Sequence, residues 1–568
     1  MALLTASPVG ARSQSQRTHG WLSILRNLAD CWWAVAVLLT LECSVLFFHG
    51  LNAGDLYRTE GLRAIIAAEF LRSGNWIVPT LYAEPLFTKP PGMYAAIALL
   101  SWPVGEVTEW TARLPSALAA TGTVLLIYWY FRRQLGPLAG LVAAAIVPAS
   151  FMWLEKATAA EIDMMQVVWV TASILCFLRG LEIVEDEGTN SRNEPAKIEL
   201  WRVTASDRGF GVVAGTAAVL RPRSSLWFWW LLALLCVAGG VLTKWTAPAF
   251  FYGTVIPLLV WRGQLRVLWG RHHLVGVALS AAACLAWIGA AVALAGWRAF
   301  YDTVSREALM RLLPSHHYRP YPWVESLVHP FQILGTNLPW SAFALLTLRP
   351  GFMQLWDERG RRLLQALHCW TWPNLFFWSI IPEHAPRHSF PLFPGIAGLA
   401  ALVWLAWLTG RLRWPFTGLA ERARSCVNCR WAARPSTTLI CTMAVWLLVK
   451  IVYVEAVIPR RNLHRQPRQT GENLAALVPE KATLYLFNLK DEGVMFYYGR
   501  KVVRLAKPDD LPVEDKLTYC LLDDAEFKQW QSWPEAELVK RLHDQQGDPI
   551  ALVRLSRAER DSLSSANP

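Results

Sequence analysis

Apolar runs long enough to cross a bilayer recur along this sequence, beginning with CWWAVAVLLTLECSVLFFHG at Cys31–Gly50. A membrane-spanning helix needs about 17–25 predominantly apolar residues. Only 17% of the residues are charged and 54% are hydrophobic, whereas a soluble domain has roughly a quarter charged residues. The sequence therefore predicts a polytopic α-helical membrane protein.

The positions of Lys and Arg predict how the chain threads through the bilayer. The first apolar run follows Arg12, Arg17 and Arg26 and is longer than a cleavable signal, so we expect a signal anchor with residues 1–30 in the cytoplasm. Cytoplasmic loops of multi-pass proteins carry an excess of Lys and Arg. Applying this bias predicts about 11 to 13 membrane helices, with spans near 31–50, 111–131, 137–154, 163–180, 226–243, 246–262, 273–296, 333–349, 363–381, 388–409 and 435–456.

This threading divides the chain into a transmembrane catalytic domain at 31–457 and an external α/β domain at 458–568. External loops are expected at 51–112 and 297–332, the first with juxtamembrane helices, and a cytoplasmic loop at 181–225. In the C-terminal domain the pattern predicts strands at ATLYLFNL, VMFYYG, LTYCLLDD and PIALVRL, and helices at DAEFKQWQSW and EAELVKRLHDQ.

The net charge of +12 is concentrated in the predicted cytoplasmic loops. This is the bias of a membrane protein, so membrane lipids rather than nucleic acid are the expected partners. Cys426 and Cys429 form a CxxC pair without a second pair, and this does not predict a zinc site. The stretch GFGVVAG lacks the glycine spacing of a dinucleotide site and is interpreted as a flexible loop.

Ionisable and aromatic residues from distant segments converge on the predicted outer face. They are Asp55, Arg58, Glu60, Tyr82, Glu84, Lys89, Glu161, Asp163, Lys244, His317, Arg387 and His388. Singly, some have structural explanations: Lys244 as a residue reaching the interface, Asp55 as a helix-ending cap. Arg63, Glu69 and Arg72 are expected to form a solvated helix face. Together, the set is typical of a polar cavity, because ionisable groups at membrane depth are costly unless they pair or face one.

Carboxylates and fixed cations at one bilayer face suit a reaction in which a hydroxyl loses a proton while an anionic leaving group is held. A phosphate esterified to a lipid is such a leaving group, and its tail would lie between helices. No Gly-rich phosphate loop is recognisable in the predicted cytoplasmic segments, so the sequence does not favour a nucleotide donor.

Four ordered motifs resemble the GT-C glycosyltransferases, in particular the protein mannosyltransferase and lipid A aminoarabinose transferase group. They are DLYRTEGLRAIIAAEFLRSGNWIVPTLYAEPLFTKPPGMY, TARLPSALAA, GGVLTKW and FFWSIIPEHAPRHSFPLFPGIAGL. The resemblance implies transfer of a sugar from a polyprenyl phosphate to a lipid or protein acceptor, outside the plasma membrane and with inversion.

The resemblance also implies roles by position. Asp55 resembles the general base and Asp163 a second acid of the same cavity. The contacts to the donor phosphate are then Arg58, Lys89, Lys244 and Arg387, and the cavity and acceptor residues are Glu60, Tyr82, Glu84, His317 and His388. Leu56, Ala308, Arg387 and Phe390 depart from the group's usual residues, which leaves the sugar, the acceptor and any divalent metal open.

Two other function classes are compatible with a polytopic membrane chain. A flippase or transporter of lipid-linked saccharides also needs an intramembrane polar cavity, but it predicts matched helix breaks in two halves of the chain, and no such symmetry is evident. A scaffold that displays the C-terminal domain gives no reason for so many ionisable residues at one membrane face.

Overall fold

A computed structural model describes residues 19–193, 224–312, 321–382, 385–415, 434–512, 517–530 and 536–556. Helices dominate up to residue 477. They are α1 (His19–Asp30), α2 (Trp32–Cys43), α3 (Thr59–Ser73), α4 (Gly92–Ser101), α5 (Glu109–Leu135), α6 (Pro137–Ile146), α7 (Phe151–Lys156), α8 (Ile162–Asn193), α9 (Ser224–Val241), α10 (Ala247–Trp261), α11 (Arg271–Ala295), α12 (Trp297–Leu312), α13 (Trp323–Thr336), α14 (Trp340–Leu346), α15 (Glu358–Ile380), α16 (Phe393–Leu408), α17 (Pro435–Val452), α18 (Ile458–Arg465) and α19 (Pro467–Leu477).

Within the described residues, five helical segments are long and apolar enough to cross a membrane. They are Glu109–Leu135, Ile162–Asp186, Arg271–Ala295, Pro386–Leu408 and Pro435–Leu477. A sixth results if Leu22–Asp30 and Trp32–Phe48, which meet at a bend of 98°, form one span. Shorter apolar helices such as Leu226–Val241 and Ala247–Trp261 lie at further predicted spans.

Two predicted spans are interrupted in the structure. The span expected at 137–154 consists of α6 and α7, separated near Pro148, and the span expected at 333–349 consists of α13 and α14, separated near Pro339. Proline disfavours the helical conformation of the residue before it and cannot donate a backbone hydrogen bond, so a helix tends to stop there.

The segment between α2 and α5 folds into a small subdomain. Helix α3 is followed by a two-stranded hairpin, β1 (Thr80–Leu81) and β2 (Glu84–Pro85), and then by α4. Gly92 begins α4 and donates to the carbonyl of Leu242 at 2.8 Å. A Cβ atom at Gly92 would lie 2.7 Å from that oxygen, so only glycine allows this close approach.

The C-terminal region contains a five-stranded sheet in the order β4–β3–β5–β7–β6. The elements are β3 (Leu484–Leu486), α20 (Glu492–Tyr498), β4 (Val502–Arg504), β5 (Leu517–Asp523), α21 (Asp524–Trp530), β6 (Ala536–His543) and β7 (Pro549–Ser556). Strand β3 pairs in parallel with β4 and β5, whereas β7 pairs antiparallel with β5 and β6.

Two secondary-structure predictions in this region were wrong. The stretch VMFYYG is part of helix α20, because Val494, Met495 and Tyr498 share one buried helix face and Gly499, at φ +66°, ends the helix. The stretch EAELVKRLHDQ contains edge strand β6, because the turn around Gly547 (φ +89°) returns the chain to pair with β7. Its charged residues suit an exposed sheet edge.

The first external segment and the C-terminal region share one hydrophobic core. Buried residues of α3 and α4, including Phe70 and Ile97, pack in one cluster with Leu474, Val494 and Leu552. A Cβ at Gly61 would lie 2.5 Å from the carbonyl oxygen of Glu492, so the two backbones are in direct contact. This packing positions the loop that carries Asp55.

Candidate active site

The loop that follows the first apolar run is shaped by Arg113, a buried residue of α5. Its guanidinium donates at 2.9–3.1 Å to the carbonyl oxygens of Leu51, Ala53, Gly54 and Asp55. The same guanidinium forms a two-bond ion pair with Glu60, at 2.9 Å and 3.1 Å. One side chain therefore fixes the backbone that presents Asp55, since a planar fork of donors orients its partners as well as binding them.

Glu60 acts as a structural acid beneath this loop. Besides Arg113, it accepts hydrogen bonds from the amides of Ala160 at 2.9 Å and Tyr57 at 3.3 Å. Burial alone would raise the pKa of Glu60, but the Arg113 charge outweighs burial and holds that pKa below its ordinary value. Glu60 is therefore ionised, and it joins the Asp55 loop to the loop that precedes α8.

The Asp55 carboxylate faces the start of α19. Its Oδ2 accepts from the Arg468 amide at 3.3 Å and its Oδ1 from the Arg468 Nε at 3.4 Å. The Asp55 amide donates to Asn462 at 3.1 Å. Arg468 also pairs with Glu109, which accepts from the Tyr497 hydroxyl at 2.7 Å. The carboxylate is thus held by a cation more than 400 residues away in sequence.

Asp55 lines a polar cavity of about 120 Å³. Glu155 and Glu161 contribute carboxylates to its wall, and Arg461 and Arg465 contribute guanidinium groups from α18. Arg461 donates to the Tyr453 hydroxyl at 2.9 Å, and Arg465 lies 3.7 Å from the centre of the Tyr57 ring. Neither arginine forms an ion pair within the part of the chain that the structure describes.

An apolar groove adjoins this cavity. It has a volume of about 620 Å³ and is lined by Phe151, Leu154, Val445, Leu448, Val449 and Val452. Glu155, Tyr453 and Arg461 line both the groove and the cavity. A hydrocarbon chain in the groove would therefore have its polar end beside Arg461.

A chain of ion pairs extends from the cavity toward Lys244. Lys156 pairs with Glu161 at 2.9 Å and with Glu155 at 3.4 Å. Asp163 pairs with Lys244 at 2.8 Å, and both of these side chains are 5% exposed. The two predicted residues Asp163 and Lys244 therefore form one buried pair. The contact between Gly92 and Leu242 places the Lys89 segment beside the segment that ends at Lys244.

A family profile described as dolichyl-phosphate-mannose-protein mannosyltransferase matches residues 88–188. The undecaprenyl phosphate-alpha-4-amino-4-deoxy-L-arabinose arabinosyl transferase of Erwinia tasmaniensis is 26% identical over 368 residues, covering 63% of this chain and 57% of that protein. The corresponding transferase 2 of Pseudomonas fluorescens is 25% identical over 364 residues, covering 63% of this chain and 54% of that protein.

The crystal structure of ArnT from Cupriavidus metallidurans bound to undecaprenyl phosphate is similar to this fold over nearly the whole chain. The TM-score is 0.67 at 16% sequence identity, covering 92% of this chain and 98% of that chain. The chain has the GT-C membrane fold. The predicted resemblance to the mannosyltransferase and aminoarabinose transferase group is thereby confirmed. The chain spans little more than half the length of the two curated relatives, 57% and 54%.

The GT-C structure brings together only part of the predicted set. Asp55 and Glu60 line the cavity, whereas Tyr82 lines a different groove and Glu84 is exposed on the hairpin. Arg58 is also exposed. Its amide donates to Gln545 at 2.6 Å and its guanidinium to Gln546 at 2.7 Å, so it contacts the C-terminal domain.

The remaining predicted residues lie elsewhere. Lys89 is half-buried and donates to the Thr88 carbonyl at 2.9 Å. Arg387 and His388 belong to a 3₁₀ turn at Pro386–Leu392, where Arg387 is exposed and His388 half-buried. His317 lies outside the described residues, as do Cys426 and Cys429. Among the described residues, no group of three or more His, Cys, Asp or Glu side chains is arranged to hold a metal.

The predicted solvated helix face on α3 holds for Arg72, which is exposed, but it was wrong for Arg63 and Glu69. Arg63 is buried and donates to the carbonyls of Thr59 at 2.8 Å and Ala160 at 3.1 Å. Glu69 binds the hairpin, accepting from the amides of Tyr82 at 2.8 Å and Ala83 at 3.4 Å. The later chain packs over α3, so polar positions that look solvated in sequence have partners.

Several functional candidates were missed in the sequence. Arg113 and Lys156 are single cations within apolar or mixed motifs; the partner of Arg113, Glu60, lies on a distant segment, whereas Lys156 pairs with the nearby Glu155 and Glu161. The cluster IPRRNLHRQPRQ at 458–469 did carry a signal. It places Arg461, Arg465 and Arg468 directly after a span on the side predicted to be external, where Lys and Arg are normally depleted.

Proposed function

We propose that this protein is a membrane glycosyltransferase that moves a sugar from a polyprenyl-phosphate donor to a lipid or protein acceptor. The reaction takes place on the outer side of the plasma membrane, with the N-terminus in the cytoplasm and the C-terminal domain outside. Asp55 is the general base, and the anomeric configuration inverts. The matched arabinosyl transferases and the mannosyltransferase profile support this reaction class.

One observation carries the proposal: the polar cavity that contains Asp55 opens beside an apolar groove, and the two share Glu155, Tyr453 and Arg461. A polyprenyl phosphate has this same division between a hydrocarbon chain and a charged head. The chain would lie between α7 and α17, and the phosphate would meet Arg461 at the junction. The sugar would then extend into the cavity toward Asp55.

The transfer step needs one base and a stabilised leaving group. The acceptor hydroxyl oxygen attacks the anomeric carbon from the face opposite the phosphate, and its proton passes to the Asp55 carboxylate. The bond between that carbon and the phosphate oxygen breaks, and polyprenyl phosphate leaves with the electron pair. A positioned general base typically increases the reaction rate by about 10²–10⁴-fold. Fixed cations near the leaving oxygen increase the rate by a further large factor.

The arrangement of charges supports separate roles for the cations. Arg468 holds the Asp55 carboxylate, while Asp163 neutralises and orients Lys244. Arg461 and Arg465 have no carboxylate partner in the described chain, so they are available to the donor phosphate. Lys89 remains a predicted phosphate contact, because its segment lies against the one that ends at Lys244.

A donor panel tests the proposal. Purified protein in proteoliposomes is incubated with undecaprenyl phosphate-α-4-amino-4-deoxy-L-arabinose, with polyprenyl-phosphate mannose and with an unmodified-lipid blank, in the presence of an outer-membrane lipid extract or a protein extract. We expect release of free polyprenyl phosphate from one donor, together with a labelled acceptor. Movement of intact donor between leaflets without release would instead identify a flippase and overturn the assignment.

A further inference from the structure

Residues 55–58 lie between α2 and α3 outside any helix or strand, and each of their four backbone amides is bound by a side chain. The amides of Asp55, Leu56, Tyr57 and Arg58 donate, in that order, to Asn462 Oδ1 at 3.1 Å, the Tyr497 hydroxyl at 2.8 Å, Glu60 Oε2 at 3.3 Å and Gln545 Oε1 at 2.6 Å. Three of the four acceptors lie after residue 457, in the C-terminal region. Because buried backbone groups need partners, and this loop has no helix or sheet to supply them, its shape depends on these side chains.

The carbonyl groups of the same loop are held from the other side by Arg113 of α5. Its guanidinium binds the carbonyl oxygens of Leu51, Ala53, Gly54 and Asp55. The helical part of the chain therefore holds the loop mainly through carbonyls, and the C-terminal region holds it through amides. The position of Asp55 depends on both.

Arg58, at the end of this loop, has a strained backbone. Its φ and ψ angles are 50° and −117°, and residues with a Cβ atom rarely adopt a positive φ. Two neighbouring glutamines hold it there. Gln545 accepts from the Arg58 amide at 2.6 Å, and Gln546 accepts from the Arg58 guanidinium at 2.7 Å. Backbone strain persists where the surrounding structure enforces it, and strained residues cluster at active sites.

Gln545 has a fixed position against the loop. It is 1% exposed, and its amide donates to the buried carboxylate of Asp491 at 3.4 Å. Helix α20 approaches so closely that a Cβ atom at Gly493 would lie 2.5 Å from Gln545 Oε1 and 2.9 Å from the Leu56 carbonyl oxygen. Only glycine allows this approach. The packing of α20 thus sets the distance between the Gln545 acceptor and the backbone that follows Asp55.

We propose that Gln545 and Tyr497 of the C-terminal region are positioning residues for the transfer reaction. They hold the backbone of residues 56–58 so that Asp55 keeps its place in the wall of the cavity. Neither of them lines that cavity, so they act through the loop and do not touch the substrate. This inference rests on the proposed function, since it gives the C-terminal region a part in the same active site.

The variant Gln545→Met tests the proposal in the full-length protein in proteoliposomes. Methionine has nearly the same length but offers no oxygen to the Arg58 amide. Because a displacement of about 1 Å can cost on the order of 10²-fold in rate, we expect kcat for release of polyprenyl phosphate to fall about 10–100-fold. The KM for the donor should change less than about twofold, since Arg461 and Lys89, the proposed phosphate contacts, lie on other segments. Tyr497→Phe, which removes the acceptor of the Leu56 amide, should also lower kcat.

Glu526→Met is the matched control for a purely structural effect. Glu526 is also a buried acceptor of backbone amides, from Asn488 at 2.8 Å and Asp523 at 3.0 Å, but both of these residues belong to the C-terminal region itself. We expect this variant to have a lower melting temperature and the kcat of the parent, when all proteins are assayed well below their melting temperatures.

Hydrogen–deuterium exchange gives a readout that does not depend on activity. Peptides covering residues 51–62 should exchange faster in Gln545→Met than in the parent or in Glu526→Met, because the Arg58 amide loses its acceptor. Parent-like kcat for both Gln545→Met and Tyr497→Phe, or parent-like exchange of this loop in Gln545→Met, would overturn the positioning role while the parent still turned over. A parent that released no polyprenyl phosphate from any donor would instead overturn the proposed function, and the positioning role with it.

Discussion

The Asp55 cavity and the separate groove that Tyr82 lines lie at the two ends of the same helix, α3, yet they differ in how their charges are paired. Around the cavity, each acid pairs with a cation: Glu60, Asp163 and Asp55 with one from a remote segment, and Glu161 with the nearby Lys156. In the groove, Arg72, Arg500 and Lys501 have no acid partner among the residues that the structure describes. Interlocked pairs fix the positions of charges before a substrate arrives, as catalysis requires, whereas the cations of the groove are not held by an opposite charge.

The largest effect is expected from Asp55→Asn. The amide keeps the size of the side chain but cannot take the acceptor proton, so turnover should fall by about 10²–10⁴-fold. Release of polyprenyl phosphate by purified protein measures this. Asp302→Asn, at an exposed aspartate of α12, is the matched control and should retain parent turnover. If Asp55→Asn turned over like the parent, Asp55 would not be the base.

Glu60→Gln should break the pairing that distinguishes the cavity. It leaves the Arg113 guanidinium buried without an anion, and removing one partner of a buried ion pair costs about 3–5 kcal/mol. We expect a lower melting temperature together with reduced turnover. Arg113 binds the backbone carbonyl groups of the loop that carries Asp55, so the loss of its ion pair disturbs the position of Asp55. Glu106→Gln, at an exposed acid near the start of α5, should change neither quantity. A parent-like melting temperature for Glu60→Gln would show that the pair does not organise the loop.

Asp491 is buried directly before α20, and its titration gives a pH test. Burial, reinforced by Asp544, raises the pKa of Asp491 to about 7, against about 3.9 in an unfolded chain. The protonated form is therefore favoured by folding. Its stabilising contribution is complete below about pH 4 and is lost as the pH rises to about 7, an effect of at most roughly 4 kcal/mol.

Asp491→Asn should remove this pH dependence. We expect the melting temperature of the parent to decline more steeply between pH 5 and 7 than that of the variant, and the variant to be the more stable protein at pH 8. The exposed control Asp548→Asn should follow the parent curve. Identical pH profiles for the parent and Asp491→Asn would mean that this carboxyl does not titrate in the window.

The smallest effect concerns the cations that we propose contact the donor phosphate. Arg461→Gln should raise the KM for the lipid-linked donor about tenfold, the loss of one charge-assisted hydrogen bond, with a smaller change in kcat. Lys89→Ala should also raise the KM for the donor. Comparing the KM values of the two variants shows which cation contributes more to binding the phosphate. Arg460→Ala, at an exposed neighbour outside the cavity, should leave the KM unchanged. If Arg461→Gln had the KM of the parent, Arg461, where the cavity meets the apolar groove, would not contact the donor phosphate.

The sequence predicted the class of this molecule well because the relevant signals are local. Runs of apolar residues identify membrane helices wherever they occur, and ordered motifs around Asp55, Lys89 and Lys244 carry the GT-C resemblance. The secondary-structure prediction failed at α20 and β6, where the neighbouring turn and the pairing partner decide between helix and strand. The prediction for Glu69 failed for a similar reason. The groups that it binds lie on the β1–β2 hairpin, which comes close to α3 only after the chain has changed direction.

The amino-acid sequence was enough to predict a membrane protein that resembles the GT-C transferases, and that resemblance implies the role of base for Asp55. Tertiary structure alone decided which charges meet. In the folded protein Arg113 pairs with Glu60 and Arg468 pairs with Asp55. Tyr82 lines a groove that is separate from the cavity in which it was expected. The physical reason is range: hydrophobicity is a property of each segment and can be read along the chain. An ion pair depends on ångström-scale distances between segments, which only the packed fold sets.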